Sequence, residues 1–208
     1  MKLNNKRTIL VGLAFLSICA FWQMYDSVVP LILTKTFHMN ETFSGAIMAA
    51  DNILALFLLP FFGSLSDRTT TKIGKRMPFI LFGTGCAVIL MNILPLLDNS
   101  YAAAPSTLKT VSFVIVLGLL LIAMGTYRSP AVALMPDVTP KPLRSRGNAI
   151  INLMGAVGGI LYLGVAAVLY PNSKTAGLAH VNYQPLFIVV SAIMFVAIAV
   201  LFLTIKEP

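Results

Sequence analysis

Six apolar stretches, at 9–33, 45–65, 79–97, 111–135, 149–170 and 185–205, dominate the sequence. Each runs to about 19–25 residues, enough for a helix rising about 1.5 Å per residue to cross a hydrocarbon core of about 30 Å. Backbone groups in lipid must be satisfied within the segment, so stretches of this length predict helices. The connections between them are short and leave no room for a soluble domain. The predicted fold class is therefore all-α: a six-transmembrane-helix bundle forming a single domain over 1–208. Composition agrees, since 58% of residues are apolar and 11% charged, against roughly 25% charged in a soluble domain.

The opening residues, with Lys2, Lys6 and Arg7 ahead of an apolar run, imitate a signal peptide. The run continues through Trp22, Tyr25 and Asp26 without a small-x-small cleavage site, so it reads as a retained first helix. Sorting the basic residues by loop places Lys2, Lys6, Arg7, Arg68, Lys72, Lys75, Arg76, Lys141, Arg144, Arg146 and Lys206 on one side of the membrane. The other side receives Lys35, Lys109 and Lys174. The positive-inside rule then puts both termini in the cytoplasm of a multi-pass cell-membrane protein. The formal charge of +8 is thereby a topology signal beside anionic lipid headgroups, and it calls for no nucleic-acid partner.

Other function classes find little support. Cys19 and Cys86 lie inside apolar runs and suggest neither a disulfide framework nor a metal site, and no cofactor is expected. His38 and His180 fall in external loops, so there is no intramembrane Ser-His or HExxH set for an enzyme, and no Walker sequence for a primary pump. Asn40-Glu41-Thr42 fits a glycosylation sequon, and equally a cap for the second helix.

Three ionisable residues fall within spans: Asp26, Asp51 and Arg128. Each costs about 2.5–3.5 kcal/mol near a helix centre on the insertion scale, so each is expected to face protein or water and is a functional candidate. In the first span Cys19, Trp22, Gln23 and Asp26 recur at helical spacing and form one stripe. Trp22 offers a ring for a sugar to stack on and Gln23 a partner for hydroxyls; an interhelical polar contact is the alternative for the pair. Asp26 must be paired, hydrated or protonated at its depth, which suits a coupling or substrate role. Asp51 either shares a site with Asp26 or sits in an external vestibule. Arg128 precedes Ser129-Pro130, where the proline frees carbonyls and makes either a ligand site or a kink. In the fifth span Asn148, Asn152, Gly155, Gly159 and Tyr162 draw a second stripe; the glycines read as packing positions and Asn152 as a site candidate.

The loop at 63–78 carries Gly63, then Asp67-Arg68, then Gly74-Lys75-Arg76 and Pro78. It resembles the loop motif of the major facilitator superfamily, with four extra residues between the Asp-Arg pair and the glycine. That longer spacing is similar to the glycoside-pentoside-hexuronide cation symporters and the sucrose-proton symporter-like carriers. Arg128, Asp137, Arg144, Arg146 and Asn148 resemble those families' helix-four arginine, the acid ending that helix, and the basic entry to helix five. The resemblance spans the whole chain.

It implies a secondary transporter, with Gly63 letting helices approach and Asp67 and Arg68 exchanging partners with Asp137, Arg144 or Arg146 as a cytoplasmic gate. Sodium- and proton-coupled symporters carry acids farther along helix two, near Ala55 and Leu59, so Asp26 and Asp51 are left to handle a proton. A complete superfamily transporter has two six-helix halves with substrate between them. The chain is accordingly expected to be the amino-terminal half of a proton-coupled carrier for a sugar or glycoside. Its partner would be a second half or another copy. A drug or organic-solute exporter, and a truncated non-transporting interaction protein, are the other readings.

Overall fold

The computed structural model describes residues 4–206; Lys2, part of the topology count, lies outside them. Among the described residues all regular structure is helical. α1 (Asn5–Leu31) runs into a π-helical turn, Ile32–Thr36. α2 (Glu41–Arg68), α3 (Met77–Ala103) and α4 (Thr107–Val138) follow. A 3₁₀ turn at Lys141–Leu143 leads into α5 (Arg144–Leu169), the short α6 (Asn172–Thr175) and α7 (Gln184–Thr204). Six of these helices are long and apolar enough to cross a membrane.

Most helices outrun the apolar stretches because polar residues shape their ends. The Asn4 side chain accepts from the Arg7 amide at 3.1 Å, and that of Asn40 accepts from the Thr42 amide at 2.9 Å, so the sequon asparagine caps α2. Pro78 and Pro185 sit in the first turns of α3 and α7, where a missing N–H costs nothing. Gly74, at φ 113°, turns the chain between α2 and α3 in a conformation that side chains resist. α4 does not break at Pro130: it stays helical through Pro130 and Pro136 to Val138.

α1 is the most buried of the spans and α2 the least. α1 packs on α5 and α7, α3 on α4 and α7, and α2 leans on α4. Small residues set these approaches. A Cβ at Gly158 would lie 2.0 Å from the Leu16 carbonyl oxygen, and one at Gly155 2.9 Å from Cys19 Sγ, whereas Gly159 meets only Gln23 Oε1 at 3.9 Å. The close contact of α5 with α1 is therefore made by Gly155 and Gly158. Gly63 has a comparable role, its Cβ position 3.0 Å from Ser129 Oγ, and Ser129 donates to the Leu59 carbonyl at 2.7 Å, joining α4 to α2. Tyr127, fully buried, hydrogen-bonds Ser17 and donates to the Ala14 carbonyl at 2.9 Å, fastening α4 to α1. Asn92 donates to Ser191 across α3 and α7 at 3.0 Å. Both cysteines are free.

Candidate functional site

Two clusters of the expected residues form, one partway along the helices and one at their basic end. In the first, Trp22 of α1 is wedged edge-on against Phe21 and Tyr25, with ring centroids 5.2 and 5.3 Å away. The indole thus packs against two buried neighbours on its own helix. Arg128 of α4 reaches over it, the guanidinium carbon 5.5 Å from the ring centroid. The two line a narrow groove with Asp51 and with Ala55, Leu58 and Leu59 of α2. Asp51 thus shares a groove with Trp22 and Arg128.

Arg128 pairs with no carboxylate among the described residues, and its recorded partner is the indole face. A cation–π contact contributes about 0.5–1 kcal/mol when exposed and about 2 kcal/mol or more when desolvated. The ring face that the sequence offers to a sugar is therefore covered by a guanidinium. Asp51 accepts from the amide and the side chain of the adjacent Asn52, at 2.6 and 2.8 Å. Gln23 and Asp26 are exposed on α1, as is Asn152 on α5. The indole Nε1 and the Tyr25 hydroxyl are buried without hydrogen-bond partners among the described residues. Ala55 and Leu59, where the symporters carry acids, face the same groove but bring no charge to it.

Chemically the groove brings a guanidinium and the Asp51 carboxylate to an aromatic ring, with Gln23 and Asp26 exposed on the helix that carries that ring. Such a set can bind hydroxyls or an anionic group and can accept a proton on an acid.

The second cluster joins the ends of α2, α3 and α4. Arg76 precedes α3, and its side chain is only 6% exposed. Its Nε donates to Asp137 of α4 at 3.0 Å, one terminal nitrogen pairs with Asp67 of α2, and the other donates to Ser66 Oγ at 2.6 Å. Lys75 adds a second cation to Asp137 at 3.5 Å. Among the described residues Asp67 pairs with Arg76 and not with Arg144 or Arg146. Arg144 instead donates to the Pro136 carbonyl at 2.8 Å, where α4 ends in unsatisfied acceptors. Arg68 and Arg146 are exposed and make no ion pair among the described residues.

The central role of Arg76 was not apparent from the loop motif, which presents it as one of several basic residues. Asp98 was missed altogether. It falls one residue past the third apolar stretch, yet it lies inside α3 and is fully buried.

A family model described as Major Facilitator Superfamily matches residues 11–208. Sucrose transport protein SUC3 of Arabidopsis thaliana is 33% identical over 141 residues, covering 61% of this chain and 23% of that protein. Sucrose transport protein SUT3 of Oryza sativa subsp. japonica is 32% identical over 141 residues, 61% of this chain and 28% of the relative. The alpha-ketoglutarate permease of Escherichia coli (strain K12) is 27% identical over 181 residues, 84% of this chain and 38% of the permease. The chain thus spans from about a quarter to under two fifths of the length of these relatives.

Proposed function

The chain belongs to the Major Facilitator Superfamily, and from that premise we propose that it forms one six-helix half of a proton-coupled carrier for a sugar or glycoside. It is a multi-pass membrane protein and not an enzyme. The observation that carries the finer reading is the groove where Arg128 covers Trp22 beside Asp51, with Gln23 and Asp26 exposed nearby on α1. Relatives named as sucrose transport proteins support the substrate class.

In this reading the basic end faces the cytoplasm, and the solute lies between this bundle and a second half or a second copy. Hydroxyls of the solute hydrogen-bond Gln23, Asn152 and the carboxylates, while Arg128 holds an oxygen. Asp26 takes up and releases the coupling proton as the two walls rock. Asp67, Arg76 and Asp137 lock α2, α3 and α4 at the cytoplasmic mouth and open with it. The partner half is another part of the same protein, a separate chain or another copy.

One observation favours a second reading. Arg128 has no carboxylate partner among the described residues, and the alpha-ketoglutarate permease matches the largest share of the chain among the relatives described above. A carboxylate-bearing solute would supply the missing anion.

Uptake into proteoliposomes, with the chain alone and with a candidate second half, tests both readings. A glycoside should accumulate under an imposed proton gradient, and Asp26→Asn should abolish the dependence on that gradient. Accumulation of dicarboxylates and of no glycoside would replace the sugar assignment. No uptake in any assembly would overturn transport by this bundle.

A further inference from the structure

At the end of the bundle away from the basic loops, three chain segments converge on a buried carboxylate. Asp98 of α3 has no exposed surface; the Thr36 hydroxyl lies near its carboxylate, but among the described residues no well-formed hydrogen bond reaches either oxygen. An ionised carboxylate in such a place requires a cation. The basic group within reach is His180, in the connection between α6 and α7, its Nε2 3.8 Å from Asp98 Oδ2.

His180 is held from two further sides. Its Nε2 lies 2.9 Å from Asn99 Oδ1, and its Nδ1 lies 3.4 Å from Thr36 Oγ1 at the π-helical end of α1. Asn99 in turn donates to Asn182 Oδ1 at 2.9 Å, and the Tyr170 hydroxyl donates to the Asn182 carbonyl at 2.7 Å. The α5–α7 connection is thereby pinned to the end of α1 through the imidazole, and to the end of α3 through the imidazole and through Asn182.

Histidine is the side chain whose ordinary charge change falls between about pH 5 and about pH 8. We propose that Asp98 and His180 form a proton-binding site that fastens the α5–α7 connection to the ends of α1 and α3 when the imidazole is charged and frees it when the imidazole is neutral. A proton from solution binds the ring nitrogen that carries none in the neutral imidazole, and the imidazolium then supplies the cation that Asp98 lacks. When that proton leaves, Asp98 must take up a proton itself or meet water, and water enters only if the connection lifts.

From the start of α7, Tyr183 also faces Asp98. Burial and the Asp98 charge push its phenol above the ordinary range, so it stays neutral throughout the range in which histidines ordinarily change charge. From α1 the facing group is the uncharged Thr36. The connection also lends Tyr170, Thr175 and Tyr183 to a crevice shared with Ser27 of α1 and Tyr162 of α5. Lifting it would widen that crevice toward solution.

Hydrogen exchange of 171–183 read by mass spectrometry tests this, with each pH normalised to the rate of an unstructured peptide. Histidine side chains ordinarily change charge between about pH 5 and about pH 8, so protection should fall about fivefold or more over that interval. In His180→Gln it should be low at both pH values, and in Asp98→Asn it should no longer vary with pH. Tyr170→Phe, which loosens the same connection without touching the pair, should lower protection at both pH values and keep the difference between them. Equal protection at both pH values in the unaltered chain overturns the proposal. So does a pH dependence that survives in His180→Gln or Asp98→Asn, which would move the titration to another group such as His38. The measurement needs no transport, so its outcome is separate from that of the uptake experiment.

Discussion

The Arg128 guanidinium lies over the Trp22 ring, 5.5 Å from its centroid, and so joins α4 to the one indole in the chain. Because no other tryptophan contributes, intrinsic fluorescence reads this contact directly. Arg128→Met should shift the emission of the folded chain, and a bound solute that draws Arg128 away should shift it in the same direction. Emission unchanged in Arg128→Met would mean that the two side chains do not touch in the membrane.

Arg76 should be the most sensitive residue at the basic end. Removing one partner from a buried, hydrogen-bonded ion cluster costs about 3–5 kcal/mol, and Arg76→Ala would leave Asp137 with the more distant Lys75 and take from Ser66 Oγ the donor that Arg76 supplies. Asp67 has a 58% exposed side chain, so Asp67→Asn should cost no more than about 1 kcal/mol. Thermal unfolding in detergent should rank Arg76→Ala below Asp137→Asn and Asp137→Asn below Asp67→Asn. The reverse ranking would remove Arg76 from the centre of the cluster.

Three glycines of α5 should separate cleanly. Gly158→Ala forces a methyl group into the Leu16 carbonyl, and overpacking of this kind typically costs about 1–3 kcal/mol. Gly159→Ala meets only ordinary van der Waals contact and Gly164→Ala meets open space, so both should melt near the unaltered chain.

Asp26 and Asp51 should differ in what their loss does to transport. Asp26→Asn is expected to uncouple uptake from the proton gradient while leaving exchange of solute down its own gradient. Asp51→Asn, which alters the groove beside Trp22 and Arg128, is expected to weaken solute binding instead. Measuring gradient-driven uptake and counterflow for both variants distinguishes coupling from binding. Identical defects in both assays would place the two acids in one role.

The fold was legible because the membrane reduces it to one variable, the length of apolar runs, and because polar caps such as Asn40 announce helix ends. The partners of polar side chains were less so. Arg144 and Arg76 read alike in a basic loop, and only the geometry of the α4 end assigns one to backbone carbonyls and the other to Asp137. Gly159 completed the expected spacing with Gly155, yet Gly158, one residue earlier, faces α1. A period of three or four residues does not resolve neighbours about 100° apart on a helix. Asp98 was hidden for a different reason: it ends an apolar stretch, where a charge ordinarily marks water, and here the α6–α7 connection folds over it.

α1 finds its main packing partners in α5 and α7, which a ribosome makes more than one hundred residues later. Helices generally enter the bilayer singly and associate afterwards. During synthesis α1 therefore waits in lipid with Ser17 and Asp26 unaccompanied by most of the helices that will surround it, while α3 and α4 can already pair. The bundle closes around its earliest helix last, and a substitution such as Gly158→Ala would act on that final step rather than on insertion.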